Sequence, residues 1–187
     1  MLIYILKYIY FVIILKPITI LLYYFVGLFF SPNVYIDKKL YLSCGKRRNV
    51  YIHPKDNNKI IKINKENYIW NNNMENFRSY MFMPYLKYTP KNHGLINTNL
   101  GIGIVYQLVR DYDGNISKPA FYYLQKNKYE KQILEQYQKI KKYFYNDYDL
   151  VIENCNKYKN CLVQIVSKNE IKIVIVDGYD SFLFNKF

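Results

Sequence analysis

Acidic residues are scarce in this chain, with 14 Asp and Glu against 27 Lys and Arg and a formal net charge of +13. That balance disfavours cationic partners and suits anionic ones: nucleotide, phospholipid headgroups or nucleic acid. Glycine is also sparse, at seven in 187 residues. Gly101-Ile102-Gly103 is followed by no third glycine and no helix opening, which excludes a dinucleotide fingerprint. The three cysteines, Cys44, Cys155 and Cys161, form no C-x-x-C pair, and with His53 and His93 they complete no zinc spacing. They cannot all pair within one chain, so free thiols in a reducing cytoplasm are expected, with no metal site of Cys and His. No recognised nucleic-acid motif is present, so nucleic acid is the least favoured anionic partner. What the chain does have is apolar and aromatic surface: 51% hydrophobic residues and 23 tyrosines. This is enough for one domain with a sizeable core and argues against general disorder.

Residues 1–30 form a separate compositional unit, and from Tyr8 to Phe30 only Lys16 is charged. That length suffices to cross a bilayer, although Lys16-Pro17 places a charge and a kink inside it. A single kinked span ranks first. A re-entrant or interfacial segment follows, then a cleaved signal peptide, which lacks a small-residue cleavage site before Ser31-Pro32. Lys38, Lys39, Lys46, Arg47 and Arg48 lie just beyond the apolar segment, against only Lys7 and the amino terminus before it. Positive charge stays inside, so residues 31–187 are expected on the cytoplasmic side of the membrane. That part carries 25 basic and 14 acidic residues, a net +11.

The most informative stretch is Cys44–Lys65, CGKRRNVYIHPKDNNKIIKINK. Pro, Asp and a double Asn are turn chemistry, flanked by residues that favour strands, so Val50–His53 and Lys59–Ile63 read as a hairpin. Along the second strand Ile60 and Lys62 share one face, while Ile61 and Ile63 share the other. A lysine beside a cleft-lining aliphatic residue, on a strand after a glycine-containing hairpin, is how protein kinases hold nucleotide phosphates. An alternating strand with one outward lysine is the plainer reading. Leu40–Ser43, Leu95–Asn97 and Gly103–Val109 complete a five-strand sheet. Trp70–Met83 reads as a helix with Met74, Phe77 and Met81 in one stripe, and Tyr129–Tyr145 as another with Ile133, Tyr137, Ile140 and Phe144. Ala120–Lys126 reads as a short helix. Cys161–Val166 and Glu170–Val176 read as a second hairpin.

Three blocks carry a resemblance. Gly45 to Ile63 has the wording G-x-x-R-x-V-Y-x-H-P-x-D-x-x-K-x-I-K-I, Gly103 to Gly114 reads GIVYQLVRDYDG, and Ile173 to Gly178 is an aliphatic strand ending in Asp-Gly. Together they resemble the YrbL family, the bacterial PhoP regulatory network protein family, over roughly Tyr41 to near the C-terminus. The resemblance implies an α+β, protein-kinase-like fold. It would comprise a small antiparallel N-lobe sheet plus helix (about 35–110) and a truncated C-lobe (about 115–187); the N-terminal hydrophobic helix that precedes it is outside the resemblance and is expected from composition alone. It also implies ATP and Mg²⁺ as ligands.

By that resemblance, Gly45 belongs to the phosphate-covering loop, Ile60 lines the cleft and Lys62 contacts phosphates. Adenine would meet backbone near Leu108, Val109 and Arg110. The family's E-[aliphatic]-[K/R]-x-Y finds Asn76 at its acidic place. The neighbouring Glu75, about 100° around the helix, is then the remaining candidate to pair with Lys62. In a D-x-K-x-x-N pattern, Lys157 neutralises charge near the transferred group, Asn160 holds Mg²⁺ and the aspartate position falls on Cys155, with Glu153 two residues away. Asp177 would be the second Mg²⁺ ligand, and Tyr179 stands where a kinase has glycine. The implied molecule is a kinase-like phosphotransferase or pseudokinase, which the apolar residues 1–30 and the basic residues after them would place at the cytoplasmic face of the bacterial inner membrane. The alternative is a non-catalytic regulatory or scaffold module that meets a protein or anionic lipid through its basic surface.

Overall fold

The computed structural model describes Ile18 and residues 33–45, 47–65, 87–148, 150–151, 160–176 and 181–182. These fall into two compact units. The first holds residues through 65 and Lys91–Gln107, and the second holds residues 87–90 and the chain from Leu108 onward.

The first unit is a six-stranded sheet. In chain order its strands are β1 (Asn33–Val34), β2 (Tyr41–Cys44), β3 (Arg48–His53), β4 (Asp56–Asn64), β5 (Asn92–Thr98) and β6 (Gly101–Gln107). They lie side by side as β1-β5-β6-β4-β3-β2, and only the β1–β5 pair is parallel. Five of these strands match the expected five-strand sheet. The sixth, β1, has two residues, too short to show as an alternating pattern. It is fixed from outside, because Asn99 accepts from the Ile36 amide at 2.7 Å and donates to the Ile36 carbonyl. The side chains around it alternate, with Val34 and Ile36 buried and Tyr35 exposed.

One face of the sheet is a dry aliphatic layer of Val34, Ile36, Ile61, Ile63, Ile96 and Val105, with Tyr51 packed against it. The antiparallel register sets Ile61 across from Val105 and Ile63 across from Gly103, so period-2 alternation delivers these side chains to one side. The opposite face carries Lys62, Ile104 and Tyr106, all buried.

The H-P-x-D-x-x-K wording turns out to be a self-capped turn. His53 Nδ1 accepts the Lys55 amide, Asp56 accepts the Asn58 amide at 2.9 Å, and Lys59 pairs with Asp56 at 3.0 Å. The hairpin is therefore tighter than Pro54–Asn58. Its β4 strand starts at Asp56 because these side-chain bonds stand in for a longer loop.

The second unit has strands β7 (Lys118–Pro119), β8 (Leu150–Val151), β9 (Cys161–Ser167), β10 (Glu170–Ile175) and β11 (Ser181–Phe182), with helices α1 (Ala120–Leu124) and α2 (Glu130–Tyr148). β10-β9-β7 form one sheet and β11-β8 a two-stranded ribbon. Helix α2 buries Ile133, Ile140 and Phe144, the stripe that its 3.6-residue period requires. Its Gln136 donates to the Ile171 carbonyl at 2.7 Å and accepts from the Ile173 amide at 3.0 Å. That pair, with the Ile175 amide donating to the Tyr88 carbonyl, satisfies the outer edge of β10. The fold is thus mixed α+β and dominated by sheet. Among the described residues no helix is long and apolar enough to cross a membrane. Apart from Ile18, residues 1–30 lie outside those described, as does the expected helix Trp70–Met83.

Candidate functional site

Lys62 is the centre of the candidate site in the first unit. It sits in the middle of β4, between Val50 on β3 and Ile104 on β6, on the face away from the aliphatic layer. Only 8% of its surface is exposed, and its ammonium lies 4.9 Å from the centroid of the Tyr106 ring. Ile60, two residues earlier on the same face, is in register with Tyr106. A lysine so enclosed is not the solvated cation of an ordinary strand surface. Its stem packs among apolar groups and its charge is held at an aromatic face. Tyr106 is the partner that sequence reasoning missed, although the spacing of Lys62 and of Tyr106 in GIVYQ already places both on one face of paired strands.

Arg48 departs from expectation in a second way. Rather than a loop cation, it is the first residue of β3, 6% exposed, opposite Asn64 and on the same face as Lys62. Asn64 Oδ1 on that face is buried with no hydrogen-bond partner among the described residues.

Gly45 lies between β2 and β3. Its amide donates to the Arg48 carbonyl at 2.8 Å, and its carbonyl accepts from the Lys65 ammonium at 2.9 Å. A Cβ at Gly45 would approach nothing closer than the Arg48 carbonyl oxygen at 3.8 Å. The turn itself therefore does not require glycine.

Leu108 and Val109, both buried, follow directly on β6. The Val109 carbonyl accepts the Ser117 amide, and the Arg110 carbonyl accepts Gln164 Nε2 at 2.8 Å. The Asp111–Gly114 segment is not a loose connector. The Gly114 amide closes it on the Asp111 carbonyl, and Arg110 donates to the Gly114 carbonyl. Asp111 Oδ1 accepts from Ser117 Oγ at 2.6 Å and from the Ile165 amide at 2.9 Å, which fastens the segment to β9. The conspicuous R-D-Y-D-G wording is thus used up in building a latched turn.

In the second unit Asn160 immediately precedes β9, and its carbonyl accepts the Val176 amide at 2.9 Å. This sets its backbone beside the residue before Asp177 in sequence. Glu75, Glu153, Cys155, Lys157 and Asp177 lie outside the described residues. Among the described residues no group of three or more His, Cys, Asp or Glu side chains could hold a metal ion.

Comparison with known proteins adds three findings. The model of the family described as PhoP regulatory network protein YrbL matches residues 34–184. The YrbL proteins of Escherichia coli K12 and Shigella flexneri are each 28% identical over 150 residues, which cover 73% of this chain and 69% of theirs. The crystal structure of a mutant Mycobacterium tuberculosis PknI kinase domain superposes with a TM-score of 0.51 at 11% identity, over 76% of this chain. The chain spans 58% of that kinase domain's length, and at such low identity the likeness concerns the fold. A family match over most of the chain, joined to this kinase-like architecture, places the protein in the PhoP regulatory network protein YrbL family.

Proposed function

We propose that this chain is a nucleotide-binding kinase-like domain in which phosphotransfer is slow or absent. The observation that carries the reading is Lys62: a cation buried on the non-core face of the sheet, stacked on Tyr106, at the place where the family's kinase-like wording puts the phosphate-contacting lysine. A nucleoside triphosphate is an anion that this fold class accommodates beside a lysine so placed on the sheet.

The adenine would be read by backbone after β6. Val109 directs its carbonyl to Ser117 and Arg110 directs its carbonyl to Gln164, so both are spent and a base edge would meet the backbone just before them, about the Leu108 carbonyl. An amide oxygen from Asn160 and a carboxylate from Asp177 are hard donors of the kind Mg²⁺ takes, and Lys157 would neutralise charge near the transferred group. The metal, when bound, offsets phosphate charge. Against efficient transfer stand Asn76 at the acidic position that would pair with Lys62, Cys155 at the general-base position and Tyr179 in place of glycine. A thiol does not accept a substrate proton as a carboxylate does, and loss of a general base costs about 10²–10⁴ in rate.

The finer architecture belongs to the same proposal. The first unit would be an N-lobe, the second a truncated C-lobe, and residues 1–30 a tether to the cytoplasmic face of the bacterial inner membrane. Calorimetric titration of the full chain with Mg²⁺ and ATP tests the reading. Asp177→Ala is expected to abolish Mg²⁺-dependent binding, while Cys155→Asp leaves it intact and raises any ATPase rate. Undiminished binding by Asp177→Ala would refute the metal assignment. Normal binding with no activity in Cys155→Asp would make the module a pseudokinase.

A further inference from the structure

The second unit carries a cluster that the proposed nucleotide site does not use. Lys118 on β7, Tyr122 on α1 and Lys126 in the turn after α1 follow one another at intervals of four. Both ammonium groups donate to the Tyr122 phenol oxygen, at 3.3 Å from Lys118 and 2.9 Å from Lys126. They also stand 4.4 Å and 4.3 Å from the centroid of its ring.

The backbone beneath them is fixed. β7 pairs with β9, and α1 ends in a Schellman motif with Asn127 at φ 52°. There the Lys128 amide donates to the Tyr123 carbonyl and the Asn127 amide to the Leu124 carbonyl. Lys126 is therefore aimed at the phenol by a closed turn rather than left to wander.

Two like charges brought to one oxygen repel each other, and that repulsion is relieved by negative charge placed between them. The phenol oxygen spends its two lone pairs on the lysines, so its own hydrogen points away from both. The cluster thus presents three donors and no acceptor. Among the described residues, the charged groups acting on this phenol are these two lysines. They hold it below the usual tyrosine range, a sign that the spot stabilises negative charge.

We propose that Lys118, Tyr122 and Lys126 form a binding site for a dianionic phosphoryl group, either inorganic phosphate or a phosphate monoester. Three terminal oxygens match three donors, and two negative charges match two ammonium groups through charge-assisted bonds. A carboxylate or a phosphodiester would leave one ammonium uncompensated.

The test is a ³¹P NMR titration of the full chain in zwitterionic detergent with inorganic phosphate and with phenyl phosphate. It is run in the parent and in Lys62→Met, so that phosphate held by the proposed nucleotide site is counted separately. A saturable shift is expected in both backgrounds. It should weaken at least tenfold in Lys118→Gln/Lys126→Gln and severalfold in Tyr122→Phe, which keeps the cations and removes only the hydroxyl. Flotation with vesicles containing phosphatidic acid, whose headgroup is a monoester, distinguishes the source. Binding that needs the two lysines there but not in solution assigns the phosphoryl group to a lipid, and the reverse assigns it to a free phosphate. Absence of a saturable shift together with absence of lysine-dependent flotation overturns the proposal. So does binding that survives in the double lysine variant, whose fold is checked by circular dichroism, and in Tyr122→Phe.

Discussion

Gly103→Ala is the substitution whose cost the structure specifies most closely. A Cβ built at Gly103 would stand 2.5 Å from Ile61 Cγ2, 3.2 Å from Ile63 Cγ1 and 3.2 Å from the Lys62 carbonyl oxygen. Carbon atoms at rest sit about 3.5–4.0 Å apart, so Ile61 would have to retreat by about 1 Å. It has nowhere easy to go. Ile61 is wholly buried in the aliphatic layer, and Cγ2 is bonded directly to Cβ, on a side chain stiff about χ1. Overpacking of this kind costs about 1–3 kcal/mol, of which the entropic advantage of alanine over glycine in a strand recovers about 0.5–1. At a 2.5 Å contact the overpacking cost falls in the upper part of that range, about 2–3 kcal/mol, so the expected net loss is about 1–2.5 kcal/mol, read as a lower urea midpoint at unchanged slope. Ile61→Ala alone should cost about 2–5 kcal/mol for the cavity it opens. In the double variant the new methyl occupies part of that cavity, so the two losses should fall short of additive by about 1 kcal/mol or more. Additivity within about 0.5 kcal/mol, or a Gly103→Ala protein as stable as the parent, would refute the packing described for this face.

Two further outcomes are expected. His53 and His93 are both held below the usual histidine range, by burial first and then by the nearby Lys59. The unfolded chain therefore binds more protons than the fold once pH drops through about 6.5, and stability should decline from pH 7.5 to 5.5. His53→Asn/His93→Gln should flatten that decline in thermal melts, and an unchanged slope would contradict it. Gly45→Ala should leave the melting temperature unaltered, because a methyl meets only ordinary contact there. It should nonetheless weaken ATP binding if a phosphate approaches this backbone, and an affinity equal to the parent's would remove Gly45 from the site.

The strands and their faces were legible because alternation over β4 and β6 is strong and each side of the sheet is sorted: Ile61, Ile63 and Val105 on one, Lys62 and Tyr106 on the other. The long helix α2 was legible through its apolar period, of which Ile133, Ile140 and Phe144 are buried. What escaped was set by tertiary contacts. β1 exists because Asn99 holds Ile36, a bond between residues 63 apart in sequence. Arg48 reads as one of three consecutive basic residues, and only the register with Asn64 draws it into a buried position. The motif residues divided unexpectedly as well. His53, Asp56, Lys59, Asp111 and Gly114 carry the most distinctive wording, yet their visible work is to close turns. Lys62, in a far less distinctive run, is the buried cation on which the proposed site rests. The convergence of Lys118 and Lys126 on Tyr122 left no trace in the sequence beyond a spacing of four, which a surface helix produces often.

The central claim is that Lys62 is a ligand-facing cation, and the most direct measurement is the affinity of the full chain for ATP in the presence of Mg²⁺, with and without Lys62→Met. Methionine keeps an unbranched apolar stem against Tyr106 and removes the charge, and a thermal melt of each protein checks that the sheet is retained. A charge-assisted contact contributes about 1.5–3 kcal/mol, and binding should therefore weaken by about tenfold or more. Equal affinity in the two proteins, or no measurable ATP binding by the parent, would contradict the nucleotide-binding reading of this fold.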